Sequence, residues 1–209
     1  HKVNLFTSKG LITNNGTINN FATMKNDVYG IVNNNNNILN NSNFNNSHIL
    51  NNKASSFINN RNTFTNDKTV NIEATSTINN YSSFTNNDLL NIIANGVYVN
   101  KSQSTTTNTK IIDNFGLITI EDSSTLHLNA TSDLNNKANA NINNNGTINS
   151  KKTSTFINDG TFTNKSGNET MRGLVNIYGL VKNNNIVSNS GKFDIKADQG
   201  LLENYLTLT

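Results

Sequence analysis

The chain has 209 residues, no proline, no cysteine and a formal net charge of +3. Disulfides are therefore excluded, no stretch approaches a membrane span, and Lys and Arg are scattered, adjacent only at Lys151-Lys152, with no basic footprint for nucleic acid. About a quarter of the residues are Asn, a polarity that argues for disorder unless a register organises it.

A register does. The first residues, 1–10, read as an out-of-phase edge strand, with Asn4 where later rows carry Met24 and Phe44, and with Val3, Leu5 and Phe6 as apolar assembly candidates. A first residue of His instead of Met implies a chain excised from something longer, with any targeting segment removed. From 11 to 120 the chain repeats every 20 residues. Ile18, Ile38, Ile58 and Ile78 form one column, continued by Tyr98 and Ile118. Met24, Phe44, Phe64 and Phe84 form a second. Ile12, Val32, Ile72, Ile92 and Ile112 form a third, broken by Asn52. Asn20, Asn40, Asn60, Asn80 and Asn100 keep the same beat, as do Asn26, Asn46, Asn66 and Asn86. A fixed period of this length marks a stacked repeat architecture.

Within one repeat, apolar residues recur about every six to eight positions, as at Ile58, Phe64, Val70 and Ile78. Thr63-Phe64-Thr65 and Val70-Asn71-Ile72 alternate with the period of a strand. The Asn-Asp, Asn-Asn and Ser-Ser steps between them suit turns. The fold class expected is an all-β parallel β-solenoid with about 20 residues and three short strands per coil. The absence of proline suits strands that need every backbone N–H. The pleat then aims Asn60, Asn66 and Asn80 inward, where buried amides need partners. Stacking at ~4.8 Å lets each bond its copy one coil away. Ala54, Ala74 and Ala94 mark a tight corner.

Further along, Ser102 to Lys110 has no apolar residue and reads as a weak or exposed loop. Residues 121–200 read as less regular coils, with Ile142, Ile148, Ile177, Ile186 and Phe193 continuing the core. The stretch from Thr155 to Asn164 echoes Thr77 to Asn86 at an offset of 78, as if two residues had been lost at a corner. Residues 201–209 read as an apolar edge strand or cap, with Leu201, Leu202, Leu206 and Leu208 as assembly candidates.

The phrase Asn-Gly-Thr-Ile-Asn at residues 15 to 19 and 145 to 149, with Thr-Phe-Ile-Asn-Asp-Gly-Thr-Phe-Thr-Asn at 155 to 164, resembles the repeats of filamentous-haemagglutinin-type adhesins and autotransporter passengers. The resemblance implies an extracellular, structural or adhesive role on a cell or virion surface. It brings no functional residue with it.

Catalytic chemistry has no foothold in the pattern. His1, His48 and His127 are far apart, and Asp27 and Asp67 share a column two coils apart, too distant for paired acid and base work. No cofactor is expected. The leading expectation is a non-enzymatic subunit of an extracellular or virion-surface fibre whose partners are copies of itself, joined head to tail through the terminal strands. An adhesin binding surface glycans is the alternative. An ice-binding protein, suggested by the polar pairs flanking Phe64 and Phe84, and a polysaccharide-active enzyme rank below.

Overall fold

The computed structural model describes residues 2–165, 173–195 and 200–205. They form a parallel β-solenoid of about nine turns without a helix. Each turn lays down three short strands on three faces. The first face carries strands such as Phe57–Asn60, Thr77–Asn80 and Val97–Asn100. The second carries Thr63–Asn66, Ser83–Asn86 and Thr105–Asn108. The third is a ten-stranded sheet running from Leu11–Asn14 to Leu201–Asn204. The first two faces join into one sheet because Lys2–Ser8 and Thr17–Asn26 run through the corner between them.

The unit beneath the period is shorter than the coil. A typical strand has four residues with the second and fourth buried, an apolar side chain followed by Asn. The corner that follows has either two residues, as at Arg61-Asn62, or four, as at Lys53-Ala54-Ser55-Ser56. Three short corners give an 18-residue coil, from Val32 to Leu50, and one long corner gives 20, from Leu50 to Val70. Two long corners give 22, from Leu90 to Ile112. The apolar spacing of six to eight residues follows from these two corner lengths.

Long corners share a construction. Ser56 N donates to Lys53 O at 3.0 Å, closing a turn whose third residue, Ser55, has a φ of 61°. Thr75, Asn95, Gln103, Ser123, Thr131, Asn139 and Thr153 hold the same left-handed place. The fourth residue is small and faces inward, where Ser56, Ser76, Ser124, Ser132 and Ser154 return a hydroxyl bond to the turn's first carbonyl. Ala54, Ala74 and Ala94 lie in such corners, as their stacking predicts.

The core is a set of columns. Ile38, Ile58 and Ile78 line the first face and Phe44, Phe64 and Phe84 the second, all fully buried. Phe44 and Phe64 stack at 4.7 Å between ring centroids, near the spacing of the rungs that carry them. Where Thr106 replaces the next aromatic, Tyr98 of the first face tilts toward Phe84, and its hydroxyl lies 2.5 Å from Thr106 Oγ1.

Five expectations need correction. Thr105–Asn108 is a full rung, not a loop, because a polar inward residue is accommodated by the Tyr98 hydroxyl. Phe6, not Asn4, pairs with Met24, since the register shifts between Val3 and Leu5. The third apolar column is Ile12, Val32, Leu50, Val70, Leu90 and Ile112, and Ile72 and Ile92 belong to the Asn column beside it. An 18-residue coil followed later by a 22-residue coil displaced the two sets by one pleat repeat. The echo at 155–164 falls on different faces: Phe156 and Phe162 occupy the third and first, whereas Ile78 and Phe84 occupy the first and second. Ile186 is 43% exposed, and its neighbour Val187 takes the core position.

Candidate functional site

The most organised chemistry is the interior amide array. On the first face Asn20, Asn40, Asn60, Asn80 and Asn100 form a ladder, each Nδ2 donating to the next Oδ1 at 2.7, 2.7, 2.8 and 3.0 Å. On the second face Asn26, Asn46, Asn66, Asn86 and Asn108 do the same at 2.7–2.9 Å. Each Nδ2 also reaches a backbone carbonyl beyond the corner of the following coil, as Asn60 does to Ser83 O at 2.7 Å. The amides thus tie one coil to the backbone of the next where the chain leaves a corner. Among the described residues the interior amide-to-amide bonds run from an Nδ2 to the Oδ1 of the next, carboxy-terminal coil, which gives the rod a direction.

A third ladder was not legible as a column in the sequence. Asn14, Asn34 and Asn52 form its first run, and Asn114, Asn136, Asn158, Asn183 and Asn204 its second. Ile72 and Ile92 interrupt it, and coil steps of 18, 22 and 25 residues hide it. The usable signal was the local pair of an apolar residue and Asn two positions on, as in Leu134-Asn135-Asn136. Interruptions leave marks: Ile120 stands above Asn144, and Asn144 Oδ1 is buried without a partner. Asn26 Oδ1, below Ser8, is in the same condition.

The outer surfaces of the faces differ. The second presents hydroxyl pairs at Thr63 and Thr65, Ser83 and Thr85, and Thr105 and Thr107, in register on successive rungs. The third presents an outward Asn ladder at Asn33, Asn51, Asn71 and Asn91, donating toward the amino-terminal coil. Beside it runs an apolar row. Corners carry coil-to-coil ion pairs, including Lys53–Glu73 at 2.6 Å, Lys101–Glu121 at 2.8 Å and Lys110–Asp88 at 2.8 Å. The Lys110 bond holds the Asp88 carboxyl below the usual carboxylate range. Such exposed pairs add little stability individually.

A cleft of about 370 Å³ opens where the short corner Phe115-Gly116 lies between two long ones. Gly116 fits because a Cβ there would stand 2.2 Å from Gly96 O. Asn95, Val97, Leu117, Asn139 and Asn141 line it, and Phe115 is 45% exposed at its edge.

The carboxylates and histidines stay dispersed. Asp27 pairs with Lys25, and its carboxyl is held low chiefly by the Val28 backbone N–H. Asp67 accepts from Asn87. His127 is half-buried on the second face, and desolvation and Lys151 lower its pKa. Among the described residues no three His, Asp or Glu are grouped to hold a metal ion, and no helix is long and apolar enough to cross a membrane.

The assembly candidates fall at the two ends. Lys2–Ser8, which contains Val3, Leu5 and Phe6, pairs in parallel with Thr17–Asn26. Leu201–Asn204 pairs with Leu180–Asn183, with Leu201 51% exposed and Leu202 packed against the core. Leu206 and Leu208 lie outside the described residues.

Fold and site together define a parallel β-solenoid whose corners are held by interior asparagine ladders. Comparison with protein-family models, curated proteins and solved structures returns no match.

Proposed function

We propose that this chain is a non-enzymatic structural subunit of an extracellular or virion-surface fibre, adding copies of itself head to tail. The direction of the interior ladders carries the reading. At the amino-terminal end no ladder amide of the described residues donates to the Oδ1 of Asn14, Asn20 or Asn26, and Lys2–Ser8 forms the outermost rung over the last two. The carboxy-terminal end presents rungs ending in Asn189 and Asn204, which accept from the preceding coil. Donor and acceptor ends differ, so a contact between them is heterologous and propagates as a filament when it does not close. Uncovered sheet edges favour such strand addition. No proline blunts either edge.

The test is electron microscopy and sedimentation of the 209-residue chain beside two deletions, of residues 1–9 and of 203–209. Filaments from the parent and none from the truncated proteins are expected. Filaments from both deletions, or a parent that stays a discrete small species, overturn the reading. The second reading, a glycan-binding adhesin, rests on the Phe115 cleft, where an exposed ring and three Asn side chains suit a sugar. Retention on immobilised glycans, lost in Phe115→Ala, would favour it.

A further inference from the structure

The outer surface of the third face carries one largely apolar row beside a polar one, whereas the outer surface of the second face is polar in both rows where Thr63, Thr65, Ser83, Thr85, Thr105 and Thr107 stand. The first residue of each of its ten strands points outward, in register from rung to rung. Seven of these ten are Leu or Ile, the outermost being Leu11 at 68% and Leu201 at 51% exposure. Solvent-facing strand positions more often carry Thr, as the second face does.

The row beside it needs few outside partners. Asn51, Asn71 and Asn91 each donate to the Asn one rung back at 2.9, 2.8 and 3.2 Å, and Asn135 donates to Asp113 at 2.9 Å. Covering this face leaves few amides stranded, whereas covering the second face would strip water from the hydroxyls of Thr65, Thr85 and Thr107. Among the described residues those hydroxyls bond no protein group.

We infer that the third face is a self-association surface on which a second copy packs face to face, with its axis reversed. The order of the row supports this partner. For a two-fold related pair, apolar row meets apolar row only if the symmetry axis runs parallel to the strands, and that operation inverts the rods. Placed between Leu89 and Ile111, the axis sets Leu11 against the other copy's Leu201, Ile31 against Leu180, and Leu89 against Ile111. Thr69 meets Asp133, the row's one charge, and Ile49 meets the Thr155 methyl. No like charges face each other along the row. The same surface set parallel would lay the apolar row against the amide ladder.

The area is sufficient. Ten rungs at ~4.8 Å and a strand of four residues with half its corners give roughly 45 Å by about 17 Å, near the ~800 Å² per partner of a standard interface. This contact does not depend on the terminal edges, so lateral pairing and end-to-end growth are separable.

The experiment uses sedimentation and oxidative crosslinking of the full chain, which has no cysteine of its own. Ile31→Cys with Leu180→Cys places the two thiols seven rungs apart in one molecule, ~34 Å, beyond any disulfide. End-to-end stacking would leave them three rungs apart, ~14 Å. A covalent dimer on oxidation, in filaments or in solution, is the result expected. Leu89→Lys with Ile111→Lys should halve the mass of the smallest species, with the strand circular dichroism of the parent. Thr85→Lys with Thr107→Lys on the second face should leave that mass unchanged. A parent whose smallest species is the monomer, or a cysteine pair that forms no intermolecular link, overturns the inference.

Discussion

Asn59 and Asn60 are neighbours in one strand, Asn79 and Asn80 in the next, and both pairs of columns form amide ladders, yet the two ladders serve different ends. Outside, Asn79 Nδ2 donates back to Asn59 Oδ1 at 3.0 Å in reach of water. Inside, Asn60 Nδ2 donates forward to Asn80 Oδ1 at 2.8 Å and also reaches Asn62 O and Ser83 O at 3.0 and 2.7 Å. Both inner residues are fully buried. The outer bond exchanges one partner for water at little net gain, whereas the inner amide sits where water cannot replace the bonds it makes. Identical chemistry differs in consequence because of where the pleat puts it.

The sharpest way to break the inner ladder is Asn60→Asp with Asn80→Asp. It stacks two carboxylates and removes two sets of donors, and the expected loss is about 4 kcal/mol or more by denaturant unfolding. Burial raises the folded-state pKa of such carboxyls. The penalty should therefore be largest above that raised pKa and shrink as pH falls toward the unfolded value near ~4. A pH-independent loss would show that the carboxylates are not buried.

A smaller effect follows from Thr106→Val. The Tyr98 hydroxyl is fully buried against Thr106 Oγ1, and burial pushes its pKa well up. Without that partner the loss should be about 1–3 kcal/mol. Adding Tyr98→Phe should recover part of it, since removing both partners leaves no orphan. If the double variant is worse than Thr106→Val alone, the hydroxyl pair is not what holds this rung.

The smallest effect should come from the outer pair, Asn59→Asp with Asn79→Asp. Here the repulsion is screened by water and salt, and the expected loss is below about 1 kcal/mol and shrinks further at high ionic strength. Thermal unfolding at two salt concentrations checks it. A loss equal to that of the inner pair would refute the distinction between the two ladders.

The period, the strand alternation and two of the three interior ladders were legible because residues 11–100 average close to 20 per coil and put Ile, Phe and Asn at one phase. The third ladder and its apolar column were not. Most strands read alike, apolar residue then Asn, so shifting the assignment by a corner produces another acceptable pattern. For that reason the sequence alone groups Ile72 and Ile92 with Ile12, and Phe156 with Ile78. The rung at Thr106 was missed for a different cause. A polar inward residue is intelligible only beside the tyrosine eight residues earlier whose hydroxyl meets it. The apolar row on the third face is also invisible to a search for buried periodicity, because its residues occupy the outward phase.

The two corner lengths, two residues and four, have a consequence for how such a chain changes over generations. Two residues or four both return the backbone to the same rung with the same side chains indoors. Loss or gain of a pair of codons at a corner therefore leaves the interior untouched. Loss of a single codon would turn the following strand inside out, exposing its Ile or Phe and burying Thr or Asn. Length variation in these corners is filtered by parity, and kindred solenoids should differ there by even numbers of residues, with odd differences gathered in the longer connections.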